Sequence, residues 1–464
     1  MATLIILCLT AAMWSASTSP KAALRHIVTA AGRPAAAAPT TSPPVAATTA
    51  PPPSTTTVPV TTTAPVTSNG TEPTATPPMV LPGAMPIGGV FSQPAASIEP
   101  TGSWSIMSTP TPGGPDGTTD LYGMSCTSAD FCVAVGCFYT IGVGSCPPPA
   151  AEQVNTLAEE WNGSNWSTMT TANPSSPDSN NVLYAVSCIS PDFCIAVGTM
   201  TTESDGSQLR GQALAEEWDG STWSTMTTPN PGSTDWLSAV SCVSPTFCVA
   251  VGPDATDDES LAELWNGSNW SAMSTTDPSD NGDSLAAVSC TSSSFCLAVG
   301  SDDDANSGPT IGETGQTLGE EWNGVSWSTM NTANLGAGSG LWAVSCPSTG
   351  FCVAAGENGS PAPNDLFTEQ WSGGGWSMMT MPNSSMIGGG TDGLIGMSCS
   401  SPSFCLTVVP GMAMQWDGSS WSTTSTPNGD GYLYGASCPS ANFCIAVGFN
   451  GWSQPDAASY QGDD

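Results

Sequence analysis

Positive charge is nearly missing from this 464-residue sequence, which has four Lys and Arg against 39 Asp and Glu and a single histidine, His26. Past residue 90 the imbalance sharpens: 38 acids face one basic residue, Arg210, for a net charge of −37. Such a surface repels phosphate backbones and anionic lipid, which excludes nucleic acid as a partner. With no histidine past His26, neither a Ser-His-Asp nor a Cys-His nucleophile can be assembled there. Long apolar runs are missing too. The stretch ATLIILCLTAAMW at 2–14 is too short to span a bilayer comfortably and reads as a signal-peptide core. No basic segment precedes it, however, and Lys21, Arg25 and Arg33 follow it, so the alternatives are a true start lying upstream or an atypical N-terminal anchor.

What is present changes character along the chain. Residues 1–33 are assigned to the signal peptide or anchor. Residues 34–90 consist mostly of Pro, Thr, Ala, Val and Ser, with no hydrophobic period to bury, and are expected to form a disordered stalk. Residues 91–464 are the folded part. They are too long for one ordinary core but suited to a repeat array, in which each unit packs only on its neighbours.

The repeat shows best at Leu183 to Gly198, LYAVSCISPDFCIAVG, a β-hairpin with one cysteine in each strand and turn chemistry between them. Its cysteine pairs recur seven times: Cys126/Cys132, Cys188/Cys194, Cys242/Cys248, Cys290/Cys296, Cys346/Cys352, Cys399/Cys405 and Cys438/Cys444. Cysteines facing each other across a hairpin can reach disulfide geometry, so all seven are expected as bridges formed in an oxidising, extracellular setting. Five intervening residues is long for a zinc knuckle. Cys137 and Cys146 bracket an insertion in the first repeat and are expected to form an eighth bridge, leaving Cys8 unpaired. These sixteen cysteines are the firmest candidate site residues in the chain.

After each hairpin comes a loop of variable length, then a strand such as ALAEEW (213–218), a tight turn and a short strand such as WSTM (223–226). Each repeat is therefore four antiparallel strands, a to d. Successive first cysteines lie 62, 54, 48, 56, 53 and 39 residues apart, a period that fits propeller blades. The expectation is an all-β, seven-bladed propeller of four-stranded antiparallel blades, preceded by the Pro/Thr-rich stalk. Trp104 belongs to a d-type strand with no a–b hairpin before it, and is expected to complete the seventh blade. Two segments compete for strand c of that blade, FSQPAASIEP (91–100) and WSQPDAASYQ (452–461). The N-terminal one is preferred, because a short turn ties it to strand d.

The SCxSxxFCxAVG and AExWNGSxWS motifs resemble those of secreted actinobacterial β-propeller repeat proteins. The c–d turn, as in WDGSTWS (218–224), distantly resembles the Asp-box of sialidase-like propellers, one residue short of the usual pattern. The resemblance implies the fold and little about activity. Sialidases hold the substrate carboxylate with an arginine cluster, which Arg210 alone cannot form, and copper-radical propeller oxidases need histidine ligands.

Functional residues are expected on the rim formed by the variable b–c and d–a loops, because uniform a–b and c–d turns are what folding requires. There, Asp302, Asp303 and Asp304, and the group Asp254, Asp257, Asp258 and Glu259, are candidate calcium ligands, although neither loop has the alternating EF-hand order. A solvated acidic loop is the plainer reading. Glu159, Glu216, Glu263, Glu320 and Glu369 recur two residues before a Trp and are read as scaffold, each bonded to a neighbouring blade. The Trp pairs are read as packing and the Asn-Gly-Ser sites as turns. The reading is a non-catalytic, monomeric, surface-displayed propeller without a resident cofactor. It binds a protein or glycan through the variable rim, with any membrane or cell-wall tether confined to the N-terminal region. A carboxylate-based glycoside hydrolase or lyase, or a ligand-free envelope component, are the alternatives.

Overall fold

The computed structural model describes residues 102–462 except 115, 141–145, 147–152, 175–179, 205–207, 233, 255–258, 279–281, 303–314, 334, 336–337, 359–364, 383–395, 410, 428–430 and 451–453. The proposed signal peptide and stalk, Cys8 and the N-terminal candidate strand at 91–100 therefore lie outside the described residues. Everything regular within them is β-structure: 28 strands in seven four-stranded antiparallel sheets, the expected seven-bladed propeller. Blade 1 contains strands 1a (Thr118–Ser128), 1b (Phe131–Tyr139), 1c (Asn155–Trp161) and 1d (Trp166–Met169). Blade 2 contains 2a (Asn180–Ser190), 2b (Phe193–Ser204), 2c (Gln208–Trp218) and 2d (Trp223–Met226). Blades 3 to 6 span 239–272, 283–329, 339–379 and 396–425 and are lettered in the same way.

The chain takes this form because strand b of each repeat is apolar on both faces. Val133, Ala134 and Val135 are all fully buried, as are Ile195, Ala196 and Val197. A strand apolar on both sides needs a sheet packed on each face, and only the two neighbouring blades can supply them. Seven hydrophobic clusters result, one per blade interface. Between blades 1 and 2, Val133, Val135 and Ala158 meet Leu183, Cys194 and Trp223.

A second, polar device joins the blades. The amide of each blade's first cysteine donates to the hydroxyl of the serine before the corresponding cysteine of the preceding blade. Cys188 N reaches Ser125 Oγ at 3.0 Å, Cys242 N reaches Ser187, Cys290 N reaches Ser241, and so on. Cys126 N to Ser437 Oγ, 2.9 Å, closes the circle between blades 1 and 7.

All eight expected disulfides are present. Seven join strand a to strand b within one blade: Cys126–Cys132, Cys188–Cys194, Cys242–Cys248, Cys290–Cys296, Cys346–Cys352, Cys399–Cys405 and Cys438–Cys444. The eighth is Cys137–Cys146. The bridged cysteines differ in depth. Those of strand b, namely Cys132, Cys194, Cys248, Cys296, Cys352, Cys405 and Cys444, have no exposed surface at all. Each packs into the interface with the preceding blade: Cys248 meets Ile195, Cys296 meets Val249, Cys352 meets Leu297 and Cys405 meets Phe351. Strand b is sandwiched between two sheets, so its cysteine sulfur has no route to a ligand. These seven are therefore core, and the bridges, present as expected, are fold chemistry.

Closing a loop of about seven residues contributes roughly 2 kcal/mol per bridge by chain entropy, a large sum beside a typical ~5–15 kcal/mol folding free energy. Thermal unfolding of the oxidised and the fully reduced chain should therefore differ by tens of degrees. An unchanged melting temperature after complete reduction would refute this account of the stability.

The closing blade corrects one expectation. Strand 7d (Gly102–Met107) does come from the N-terminal side, but strand 7c is the C-terminal segment Pro455–Gly462, in the sheet order 7d–7c–7b–7a. Strands 7a and 7b are Gly431–Ser440 and Phe443–Asn450. The reason is locality to strand b rather than to strand d. Segment 455–462 follows 7b after four residues, and the turn is held by Asn450 N on Gln454 O (2.8 Å). Its ladder then places Tyr460 opposite Cys444, the register of Trp161 opposite Cys132 in blade 1. Tyr460 is buried, its ring centroid lies 5.6 Å from that of Trp104, and its hydroxyl donates to Gln415 Oε1 of blade 6 at 2.8 Å.

Candidate ligand-binding site

The c–d turns serve the fold. Asn162 Oδ1 accepts the amides of Ser164 and Asn165, and Asp219, Asn266, Asn323 and Asp417 do the same in their blades. The following glycine, such as Gly220 at φ 90°, takes the left-handed conformation that a side chain would resist. These Asn side chains are thus engaged in turns, as expected. The Trp pairs are packing residues. The first indole N–H donates to the a–b turn of its own blade, as in Trp161 Nε1 to Ala129 O at 3.0 Å, and the second ring enters the interface with the preceding blade.

The recurring glutamates are buried at the blade interfaces. Glu216 Oε2 accepts Ala172 N of blade 1 at 3.0 Å, Glu320 accepts Thr276 N of blade 3, and Glu369 accepts Ala333 N of blade 4. Each donor lies six residues after the d-strand Trp of the preceding blade. That position holds Pro110 opposite blade 1 and Pro229 opposite blade 3, and proline has no N–H. Both carboxyl oxygens of Glu159 and of Glu263 are accordingly buried without a well-formed hydrogen bond. Burial pushes Glu159 up to about 8. It does the same to Glu263, also about 8, opposed in part by the nearby Asn230 amide and assisted by Asp235. In blades 6 and 7, where Pro382 and Pro427 stand at the donor position, the glutamate is replaced by Met414 and Ala458. The expected inter-blade bond therefore holds for Glu216, Glu320 and Glu369 but not for Glu159 and Glu263.

Of the candidate calcium ligands, Asp254 is buried near the end of strand 3b, in register with Asp235 and Glu259, and Glu259 is exposed. Asp302 ends strand 4b opposite Asp283 and Gln316. Asp257, Asp258, Asp303 and Asp304 lie outside the described residues. Among the described residues no three His, Cys, Asp or Glu side chains converge as a metal cluster would.

The structure brings together a set of residues that the sequence motifs do not single out. The seven a strands surround a central channel of about 200 Å³, lined by small residues including Gly123, Ala185, Ala239, Ala287, Ala343, Gly396 and Gly435. One position earlier, five blades carry an extra residue at a step in the a–b register: Tyr122, Tyr184, Ala286, Trp342 and Tyr434. A β-bulge of this kind re-aims its side chain. These residues lie toward the start of strand a, and so near the variable rim. The seven-fold repeat breaks here. Blades 7, 1 and 2 present Tyr434, Tyr122 and Tyr184, whereas blades 3 and 4 present Ser238 and Ala286, and blade 5 presents Trp342.

The three tyrosines form a crescent. Tyr122 stacks on Tyr434 with centroids 6.1 Å apart and meets Tyr184 at 5.9 Å. Tyr432, 42% exposed, extends the row at 6.3 Å from Tyr434. Close backbone approach makes room for it. A methyl group on Gly123 would come within 2.5 Å of the Tyr184 carbonyl oxygen.

The eighth disulfide braces this crescent. Cys146 N donates to Asp120 Oδ2 at 3.0 Å, and the Tyr122 hydroxyl donates to the Cys146 carbonyl. Cys137, Tyr139, Cys146, Val154 and Val182 form a small core beneath Tyr122 and Tyr184. Burial raises Asp120 to about 6 against the opposing Cys146 and Tyr122 hydrogen bonds. Burial also drives Tyr184 up to about 12 and Tyr122 well above the ordinary range, so both stay protonated at neutral pH. A signal for these residues does exist in the sequence: the triplets LYG, LYA, LSA, LAA, LWA and LYG vary chiefly at the middle residue.

No family model and no curated protein matches the chain. Among solved structures it is similar to YCF48 bound to D1 peptide, with 14% identity over 80% of this chain and 100% of that one and a TM-score of 0.48. YCF48 from Cyanidioschyzon merolae gives 14% identity, 76% and 98% coverage and a TM-score of 0.45. The microbial sialidase Hz136 gives 9% identity, 76% and 67% coverage and a TM-score of 0.43. What the chain shares with such structures is the propeller.

Proposed function

We propose that this chain is a secreted or surface-displayed binding protein without catalytic activity, which docks a protein or glycan at the mouth of its central channel. The observation that carries this reading is the aromatic crescent. Where the repeat is otherwise kept for folding, three adjacent blades present tyrosines at one bulged position, and a disulfide outside the repeat braces them. Half-buried tyrosines offer rigid contact area with a polar tip, which suits both sugar rings and peptide segments. Eight disulfides support an oxidising, extracellular setting. Residues 34–90 would then serve as the stalk and 1–33 as the export signal or anchor.

The test is a combined glycan and peptide array, probed with the wild-type chain and with Tyr122→Leu/Tyr184→Leu/Tyr434→Leu, followed by a turnover assay on each hit. Hits should weaken at least ~tenfold in the variant, since each well-packed aromatic contact contributes about 0.5–1.5 kcal/mol. Hits that bind both proteins equally would remove the crescent from the account. Release of product from a hit would replace binding with catalysis.

A further inference from the structure

Resting on the reading that the crescent is the ligand site, we propose that its ligand is an extended polypeptide segment bearing lysine or arginine, with the cationic side chain held against Tyr434, Tyr122 and Tyr184. Three features of the channel mouth select this chemistry. The first is the rings themselves, whose π faces attract a cation, more strongly where water is partly excluded.

The second is charge. Residues 91–464 carry a net charge of −37, and among the strand ends on this rim Asp302 is part-exposed while Asp120, Asp235, Asp283, Glu357 and Asp456 are buried. Arg210 is the single basic residue of 91–464, and its backbone pairs with Thr202 beside the b–c turn of blade 2, so one positive charge stands on this rim against the surrounding acidic excess. An anionic ligand would meet repulsion here and a neutral glycan would gain nothing from the field, whereas a cationic segment is steered in and held.

The third is length. The row from Tyr432 through Tyr434 and Tyr122 to Tyr184 advances in steps of 6.3, 6.1 and 5.9 Å. That is the reach of roughly five extended residues at ~3.3 Å each, and too long for one ammonium group. On the channel wall, Trp342 keeps a buried indole N–H with no hydrogen-bond partner, a donor suited to a peptide carbonyl.

The experiment is isothermal titration of the full chain with Gly/Ser decapeptides carrying lysine, arginine or glutamate, and with neutral oligosaccharides, at low and high salt. Two variants accompany it, Tyr184→Leu/Tyr434→Leu and Tyr184→Phe/Tyr434→Phe, each checked by thermal melting. Neither touches the Tyr122 tie to Cys146. The lysine and arginine peptides should bind, and the glutamate peptide and oligosaccharides should not. The Leu variant should lose about tenfold in affinity while the Phe variant stays within about twofold, because phenylalanine keeps the π face. If basic peptides bind wild type and the Leu variant alike, bulk charge alone attracts them and the proposal is overturned. If no peptide binds, it fails as well. If oligosaccharides bind instead and lose affinity in the Leu variant, the proposal falls while the crescent stands as a site. If no ligand responds to the Leu variant, both fall.

Discussion

The folded chain should be markedly more stable near pH 5 than near pH 9. Four interface glutamates hold protons far above the ordinary carboxylate value of 4.5: Glu159 and Glu263 at about 8, Glu320 and Glu369 at about 7, all through burial. In the unfolded chain these groups ionise near 4.5. Between there and about 8 the native state therefore binds more protons than the unfolded state, and stability falls as pH rises. The stabilising contribution is complete below about pH 4.5 and gone above about pH 8. Each tenfold change in proton affinity corresponds to about 1.4 kcal/mol, so on the order of 5 kcal/mol or more should be lost across the window. Calorimetry at constant ionic strength measures it directly. Repulsion within an acidic protein gives a trend of the same sign, so Glu159→Gln/Glu263→Gln serves as the discriminating variant. The neutral amide should flatten the slope and raise the melting temperature at about pH 9. A melting temperature that climbs with pH, or a slope indifferent to both substitutions, would show that these carboxyls are not held protonated.

Deleting 455–464 should be the most damaging small truncation of the folded part, whereas deleting 91–101 should be nearly silent. Strand 7c is hydrogen-bonded on both sides, to 7b and to 7d, and buries Ala457, Ala458 and Tyr460. Without it, strand 7d has no partner in its sheet, the ring is left open and the bared edge of 7b invites aggregation. Tyr460→Ala is the milder form, expected to cost about 3–5 kcal/mol by analogy with other large aromatic deletions. Melting curves and light scattering on the two truncations decide the matter. Equal damage from both would mean that the N-terminal copy also has a place in the blade.

The cysteine pairs, the Trp pairs and the Asn-Gly-Ser turns are readable in the sequence because a feature repeated in every blade averages out the noise of any single one. The blade count follows from the same averaging. The depth of Cys248, Cys296, Cys352 and Cys405 is not readable in this way, since the sheets that cover strand b come from other repeats. Strand 7c is ambiguous because two segments carry the same pattern, and composition cannot weigh a short connection to strand b against a short turn to strand d. The aromatic crescent is hidden for a different reason. Tyr122, Tyr184 and Tyr434 share one position of the repeat, in LYG, LYA and LYG, but only the one-residue step in register and the closure of the ring bring the three side chains into contact. The two glutamates without partners are hidden in turn because their distinguishing neighbours, Pro110 and Pro229, belong to the preceding repeat and lie far away in sequence.

The circle of serine hydroxyls and cysteine amides bears on how such a chain changes over generations. Each Ser-Cys dipeptide offers an acceptor to the blade after it and a donor to the blade before it. Every joint is thus the same head-to-tail joint, and a blade copied from one place fits any other. Duplication, loss and exchange of whole units need no new interface to be invented. Unit exchange is therefore the cheap route of variation for blades 3 and 4, which present Ser238 and Ala286 to the channel. Blades 7, 1 and 2 are not interchangeable in this sense. Replacing one of them by a copy of blade 3 or 4 would leave the ring intact and remove a tyrosine from the crescent.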